Sequence, residues 1–187
     1  MPDYEIHLTT DPIEAAQWPA FRAAAEAAGM AALVVALARG THPLQPMLTL
    51  HRHCGPDEIR PAAEAAARHP ALAPYPIRRC KIEQDAAVDT GPFLYYEWHG
   101  RLAVVPQDED RLTTLCQAQG GHLSRNVLRG GMMRYVTLRE IESRAALERR
   151  VAALSASLAG TLDKQCWERV VFDSNLDLDA GWLEAPQ

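Results

Sequence analysis

A four-residue pattern occurs twice in the chain and constrains its fold more than any other feature. Residues 4–7 read Tyr-Glu-Ile-His, and residues 96–99 read Tyr-Glu-Trp-His. Polar and apolar residues alternate in both copies, which is the period of a β-strand with one buried face. The Glu and His of each copy therefore share a strand face, and the recurrence predicts an internal repeat.

Two further matches follow in the same order. Residues 47–52 (Met-Leu-Thr-Leu-His-Arg) align with residues 135–140 (Tyr-Val-Thr-Leu-Arg-Glu), and Leu-Ala-Arg-Gly at 37–40 aligns with Val-Leu-Arg-Gly at 127–130. The second copies begin 88 to 92 residues after the first. Three matches at nearly one offset favour a duplication over chance.

Both halves show the order strand, helix, strand, strand, helix, strand. The predicted strands cover residues 4–9, 31–37, 45–53 and 77–83 in the first half, and 93–105, 122–128, 133–139 and 165–173 in the second. Helices are predicted from Asp11, Pro56, Asp108 and Ser143, where capping residues, proline or acidic residues mark a first turn. This order predicts an α+β protein made of tandem duplicated ferredoxin-like (βαββαβ) halves with mostly antiparallel sheets.

Composition shifts predict the boundaries between these parts. The first half is expected at 1–84, a linker at 85–94, the second half at 95–175 and a C-terminal tail at 176–187. The acidic tail has no counterpart in the first half, and we expect it to lie over a cleft or the linker, with Trp182 as its apolar anchor.

Overall composition is that of a soluble globular protein, with 48% hydrophobic and 23% charged residues among 187. A net charge of −5 makes nucleic acid an improbable partner, because counterion release needs clustered Lys and Arg. The absence of a long apolar run and of a signal-peptide pattern predicts no membrane association and a cytoplasmic location. Four separated cysteines without a Cys-x-x-Cys pair predict buried free thiols.

The polar strand faces are where we expect a site. In a split βαβ unit the helices cover one sheet face, so the other faces of the two halves can line a common cleft, either face to face or joined edge to edge. Its predicted catalytic residues are Glu5, His7, Glu97 and His99, with a histidine as general acid or base and a glutamate orienting it. Its predicted ligand-binding residues are Thr49, His51, Arg101, His122, Arg125, Thr137 and Arg139.

Three chemistries fit these residues. Arg101, Arg125 and Arg139 with His51 would bind a small phosphate- or carboxylate-bearing molecule without a metal, because guanidinium groups grip such anions bidentately. A hydrolase acting on such a molecule is one expectation. No cofactor is predicted outright. Alternatively, a divalent metal would be held by Glu5, His7, Glu97 and His99, in a manner similar to the vicinal-oxygen-chelate enzymes.

The third chemistry rests on two short motifs. His7-Leu8-Thr9 and His122-Leu123-Ser124 resemble the His-x-Thr or His-x-Ser motifs of the two-histidine phosphoesterases, which are duplicated ferredoxin-like proteins. The resemblance implies phosphoester chemistry. The repeat, however, aligns His7 with His99, which is followed by Gly100 and Arg101.

A broader resemblance covers nearly the whole chain. The stretches His-Leu-Ser-Arg-Asn at 122–126, Tyr-Val-Thr-Leu-Arg at 135–139 and Asp-Ser-Asn-Leu-Asp-Leu-Asp-Ala-Gly-Trp at 173–182 resemble a family of soluble proteins with an internal ferredoxin-like duplication. That resemblance implies no activity. A non-catalytic interaction module, whose polar faces form a homodimer or partner surface, is the alternative from another functional class.

Overall fold

A computed structural model gives the fold, and it describes residues 1–88, 91–158 and 162–181. The first half contains β1 (Asp3–Thr10), α1 (Trp18–Ala27), β2 (Ala31–Leu37), β3 (Leu44–His53), α2 (Ile59–Ala67) and β4 (Ile77–Asp85). The second contains β5 (Tyr95–Ala103), α3 (Glu109–Ala118), β6 (His122–Asn126), β7 (Met133–Glu140), α4 (Arg144–Ser157) and β8 (Leu162–Asp173). Short 3-10 turns lie at Ala15–Gln17, Pro70–Leu72, Pro106–Asp108 and Leu176–Asp179.

Helix ends follow local sequence signals. Ser143 caps α4, because its hydroxyl accepts a hydrogen bond from the Ala146 amide at 3.2 Å. The start predicted at Asp11 is wrong: a capping box between Glu14 and Gln17 begins a 3-10 turn, and α1 follows it. The helices of the described residues lack the combination of length and apolar character that a membrane span requires.

The eight strands form one closed antiparallel barrel in the order β1-β3-β2-β6-β7-β5-β8-β4. Within it, β4-β1-β3-β2 of the first half and β8-β5-β7-β6 of the second have the same ferredoxin-like order. The sequence suggested either two facing sheets or two sheets joined along one edge. The two sheets instead join along both edges, so that their polar faces also face each other across one interior. Pairing of β2 with β6 and of β4 with β8 satisfies the backbone groups that both sheet edges would otherwise expose.

Apolar strand faces point outward to the helices. Ile6 and Leu8 pack with Phe21 in one core cluster, and Trp98 and Leu138 belong to a second cluster under the other two helices. Gly100 permits this packing in β5, since a Cβ there would collide with the ring of Trp98. The polar strand faces are consequently directed into the barrel. A duplication origin and the boundaries at 85–94 and 175 remain predictions, and Asp89 and Thr90 lie outside the described residues.

The antiparallel pairing defines two different barrel ends. The C-terminal ends of β3, β4, β5 and β6 meet the N-terminal ends of β1, β2, β7 and β8 at one end, which we call the open end. At the opposite end, which we call the closed end, Thr10, Gln45 and Arg79 are buried. The tail turn Leu176–Asp179 lies there, because the Gln45 side chain donates to the Leu178 carbonyl at 3.0 Å.

Candidate functional site

A cavity of ≈ 490 Å³ occupies the barrel interior and is lined by alternate residues of all eight strands. Ten of the eleven residues singled out from the sequence contribute to its wall: Glu5, His7, Thr49, Glu97, His99, Arg101, His122, Arg125, Thr137 and Arg139. His51 does not, because it lies at the rim with its side chain 76% exposed. The strand predicted at 122–128 is present as β6, His122–Asn126.

His7 is held between two neighbouring strands. Its Nδ1 lies 3.0 Å from the Thr49 hydroxyl on β3, and its Nε2 lies 2.7 Å from a carboxylate oxygen of Glu83 on β4. The strand register explains this placement, because His7 faces Thr49 across one ladder and Lys81 across the other. Glu5, the predicted orienting carboxylate, is 3.6 Å away and is therefore not the main partner.

His99 has the same environment in the second half. Its Nδ1 lies 2.9 Å from the Thr137 hydroxyl on β7, and its Nε2 lies 3.1 Å from Glu168 on β8. Glu97 is 3.5 Å from Nε2. Glu83 and Glu168 are thus the nearest carboxylates to the two histidines, and the orienting role expected of Glu5 and Glu97 stays a prediction.

Glu97 is instead part of an ionic bridge across the barrel. Lys81 Nζ lies 2.6 Å from Glu83 and 2.8 Å from Glu97, and Arg139 donates to the other oxygen of Glu97 at 2.8 Å. Burial alone would raise the pKa of Glu97, but Lys81 and Arg139 outweigh it and hold that pKa well below its usual range. Glu97 is therefore a fixed anion and not a proton carrier.

A second ionic cluster closes the barrel at the tail. Arg79 makes bidentate hydrogen bonds to Asp173 and to Asp179, and the Tyr95 hydroxyl donates to Asp173. Arg139 also contacts Asp179, at 2.6 Å. The acidic tail thus lies over one end of the cavity, as expected for a lid on the cleft. Its predicted anchor, Trp182, lies outside the described residues.

Two histidines of the cavity, the half-buried His99 and the buried His122, differ in charge state. Burial lowers the pKa of His99, but Glu168 and Glu97 outweigh burial and raise it to about 10. Burial, with Arg39 nearby, lowers the pKa of His122 to about 3. At neutral pH without other ligands, His99 is therefore an imidazolium and His122 is neutral.

The cations at the open end have fewer ion-pair partners than the cations at the closed end. Arg101 pairs with the exposed Asp163 at its guanidinium, whereas Arg125, Arg129 and Lys164 have no ion-pair partner within residues 1–88, 91–158 and 162–181. All four line the cavity, and Arg125, Arg129 and Lys164 are exposed. Strand β2, which pairs with β6, supplies an apolar part of the cavity wall, with the side chains of Ala31, Leu33, Val35 and Leu37.

Several site residues escaped the sequence reasoning. Glu83 was placed on the polar face of its strand but not in the site, and Glu168 and Cys166 were not singled out. The alternation Lys164, Cys166, Glu168 in β8 was the available signal. Cys166 is exposed and Cys116 is buried, so the prediction of buried thiols holds for Cys116 but not for Cys166.

The four residues predicted as metal ligands, Glu5, His7, Glu97 and His99, do not bring their ligand atoms together. Among the described residues, the ligand atoms that lie within 4.8 Å of one another belong to Glu83, His99 and Glu168. Glu5 lies on the rim side, and Glu97 is occupied by Lys81 and Arg139. Any metal in this barrel would therefore use a different pair of carboxylates from the pair expected.

Comparison with known proteins gives only distant likenesses. No family model and no curated protein matches the chain. Among solved structures, it is similar to a mutant chlorite dismutase from Candidatus Nitrospira defluvii, at 9% identity and TM-score 0.35, over 94% of this chain and 92% of that one. It is also similar to the acetolactate synthase small subunit from Thermotoga maritima, at 8% identity and TM-score 0.32, over 94% and 98% of the two chains.

A third likeness is to the regulatory subunit of aspartate kinase from Thermus thermophilus, at 13% identity and TM-score 0.32, over 81% of this chain and 92% of that one. These scores are too low to transfer fold or chemistry. None of them supports the phosphoesterase resemblance. The function is therefore inferred below from the cavity itself.

Proposed function

We propose that the protein binds a small anionic molecule, bearing a carboxylate or phosphate, inside the barrel. One observation carries this proposal: cations without ion-pair partners among the described residues gather at the open end of the cavity, while the cations at the closed end are paired. Arg125, Arg129 and Lys164 have this character, and Arg101 adjoins them. A cleft lined by one sign of charge concentrates ligands of the opposite sign.

The negative net charge of the whole chain makes the basic rim the favoured place for an anion to bind. At −5 overall, the protein repels anions at long range, so a local group of cations marks where an anion is accepted. A cavity of ≈ 490 Å³ also lies within the size range of small-molecule sites, about 300–1,000 Å³. Macromolecular anions would not fit inside it.

The wall of β2 specifies the rest of the ligand. Ala31, Leu33 and Val35 offer apolar surface beside the basic rim, and Met47 of β3 continues it. A molecule with an anionic end and a short apolar body satisfies both surfaces. Its body would then lie near the imidazoles of His7 and His99, the residue type that most often acts as general acid or base.

The polar faces cannot serve as the dimer or partner surface considered from the sequence, because they point into the barrel. A homodimer through other surfaces remains a prediction. A non-catalytic ligand-binding role differs from an enzymatic one only in whether the bound molecule is converted. Mass analysis of the ligand after incubation with the protein separates these two roles.

Binding is tested with a panel of short-chain carboxylates, benzoate and simple phosphate esters, by thermal shift and calorimetry. We expect at least one to raise the melting temperature, because a ligand of the folded state stabilises it. Replacing Arg125, Arg129 and Lys164 together by Gln should weaken binding about tenfold, at a few tenths of a kcal/mol or more for each exposed charge.

A matched control removes the same charge elsewhere. Arg22, Arg68 and Arg149 are exposed on the outer helices, and their joint replacement by Gln should leave affinity within about twofold because distant exposed charges are screened. Equal weakening by both triple variants, or no binding by any anion of the panel, overturns the proposal.

A further inference from the structure

Three potential metal ligands meet in the barrel wall between the two histidine environments. The carboxylates of Glu83 and Glu168 and the imidazole of His99 each place one ligand atom within 4.8 Å of the other two. Three nitrogen or oxygen ligands evenly spaced at about 2.0–2.2 Å around one ion lie about 3.3–3.8 Å from one another. Each of the three atoms would have to move inward by less than about 0.8 Å to share such a centre.

Glu83 is a buried carboxylate whose hydrogen bonding is incomplete. Its side chain is 1% exposed, and neither oxygen makes a hydrogen bond of proper geometry to the residues described here. Lys81 Nζ and His7 Nε2 are close, at 2.6 and 2.7 Å, but they are not directed along the bond. A buried carboxylate without a well-directed hydrogen bond is a position at which a bound ion can complete the interactions.

The histidine is oriented as a metal ligand would be. Thr137 holds Nδ1 of His99 at 2.9 Å, which fixes the ring and directs Nε2 to Glu168. His7 is fixed by Thr49 in the same way, with Nε2 directed to Glu83. Outer hydrogen bonds to the second ring nitrogen are the usual support of a metal-bound histidine.

Charge balance inside the barrel gives an independent reason. Its buried carboxylates are Glu83, Glu97, Glu168, Asp173 and Asp179. Its buried permanent cations are Arg79, Lys81 and Arg139. Five anions against three cations leave two negative charges, and buried charge must be compensated. One divalent cation would compensate it.

We propose that Glu83, His99 and Glu168 bind one divalent transition-metal ion. Imidazole with carboxylates suits Zn²⁺, Mn²⁺, Fe²⁺ or Co²⁺ better than Mg²⁺ or Ca²⁺, which prefer oxygen alone. The site goes beyond anion binding, because it rests on different residues from the basic rim. An ion there would face the cavity and meet the ligand bound in it.

The test uses Zn²⁺ alone, added to chelator-treated full-length protein in a buffer without organic anions or phosphate. Calorimetry should give one equivalent, and thermal shift should show stabilisation. Co²⁺ in place of Zn²⁺ should give visible absorption bands that report nitrogen and oxygen coordination. His99→Ala and Glu168→Gln should each weaken Zn²⁺ binding at least a hundredfold, and Thr137→Val about tenfold.

Two controls separate this site from surface binding. His53 and Asp3 form an exposed pair at 2.8 Å that is able to hold Zn²⁺ weakly, and His53→Ala should leave the one-equivalent event unchanged. Glu64→Gln removes an exposed carboxylate from helix α2, outside the cavity, and should also leave it unchanged. Circular dichroism and urea unfolding confirm that each variant is folded.

The results decide between distinct outcomes. Loss of the tight event in folded His99→Ala and Glu168→Gln, with both controls unchanged, supports the metal site. No stoichiometric binding, or binding lost only in His53→Ala, overturns it. Since the anion panel can be run with chelator present, failure of the metal proposal and failure of anion binding are separately visible.

Discussion

The two ends of the barrel use the same residue types for opposite purposes. At the closed end, Arg79 and Arg139 are buried and each contacts two carboxylates. At the open end, Arg125 and Arg129 are exposed and have no carboxylate partner within the described residues. A paired, desolvated guanidinium fixes structure, whereas an unpaired, hydrated one is available to a ligand. Arg139, a predicted anion-binding residue, therefore belongs to the structural end.

The largest effect should come from breaking the closed end at Arg79. Arg79→Met leaves Asp173 and Asp179 buried without their main partner, so we expect a loss of about 3–5 kcal/mol in the free energy of unfolding. Urea unfolding measures it. Arg68→Gln, which breaks only an exposed helix pair with Glu64, should change stability by less than about 0.5 kcal/mol. Similar losses in both variants would contradict the difference between the ends.

Acid should weaken the closed end in a way that depends on Asp173. Burial raises its pKa, but hydrogen bonds from Arg79 outweigh burial and lower it. The stability it contributes is complete above its unfolded pKa of about 3.9 and is lost as pH falls through that value towards the folded one. In Asp173→Asn, which cannot titrate, the stability deficit relative to wild type should shrink below pH of about 4.

Urea unfolding at several pH values measures that deficit. Its size near neutral pH should be smaller than that of Arg79→Met, because Arg79 keeps Asp179 as a partner in the variant. A deficit that is constant from neutral to acid pH would mean that Asp173 is not the titrating group.

Between the two ends, substitution of a cavity histidine tests whether the packed interior depends on that side chain. His99→Gln removes contacts to Thr137 and leaves Glu168 poorly paired, so we expect a loss of about 1–3 kcal/mol in unfolding free energy. His51→Gln, at the rim with an exposed side chain, should change it by less than about 0.5 kcal/mol. Equal effects in the two variants would place His99 outside the packed interior.

Sequence patterns predicted the strands and their faces because alternation directly encodes which side chains share a side. Glu5, His7, Glu97 and His99 were brought into one cavity for that reason. Barrel closure was not predictable, since the pairing of β2 with β6 has no signature in the residues that pair. Strand edges pair through backbone groups that every sequence carries.

Contact partners were harder to predict than faces. Glu83 and Glu168 lie one strand away from the histidines they contact, and their registers depend on how β4 and β8 pair with β1 and β5. A shift of two residues along a strand keeps the face but changes the partner. Glu5 and Glu97 lie on the same strands as His7 and His99, two residues away. The sequence pattern alone therefore favoured them as the partners of the histidines.

The smallest effect on stability should come from substitution of Glu5 at the open end. Glu5 lies beside His51 at the rim and opposes the cations there. Glu5→Gln should leave the unfolding free energy within about 0.5 kcal/mol, as for other partly exposed positions. The same change should tighten binding of a carboxylate or phosphate ester about twofold to threefold, because it removes a negative charge from the entrance. Calorimetry at low and high salt measures it, and the gain should diminish as salt screens the rim. Weaker anion binding in this variant would show that Glu5 contacts the ligand and does not repel it.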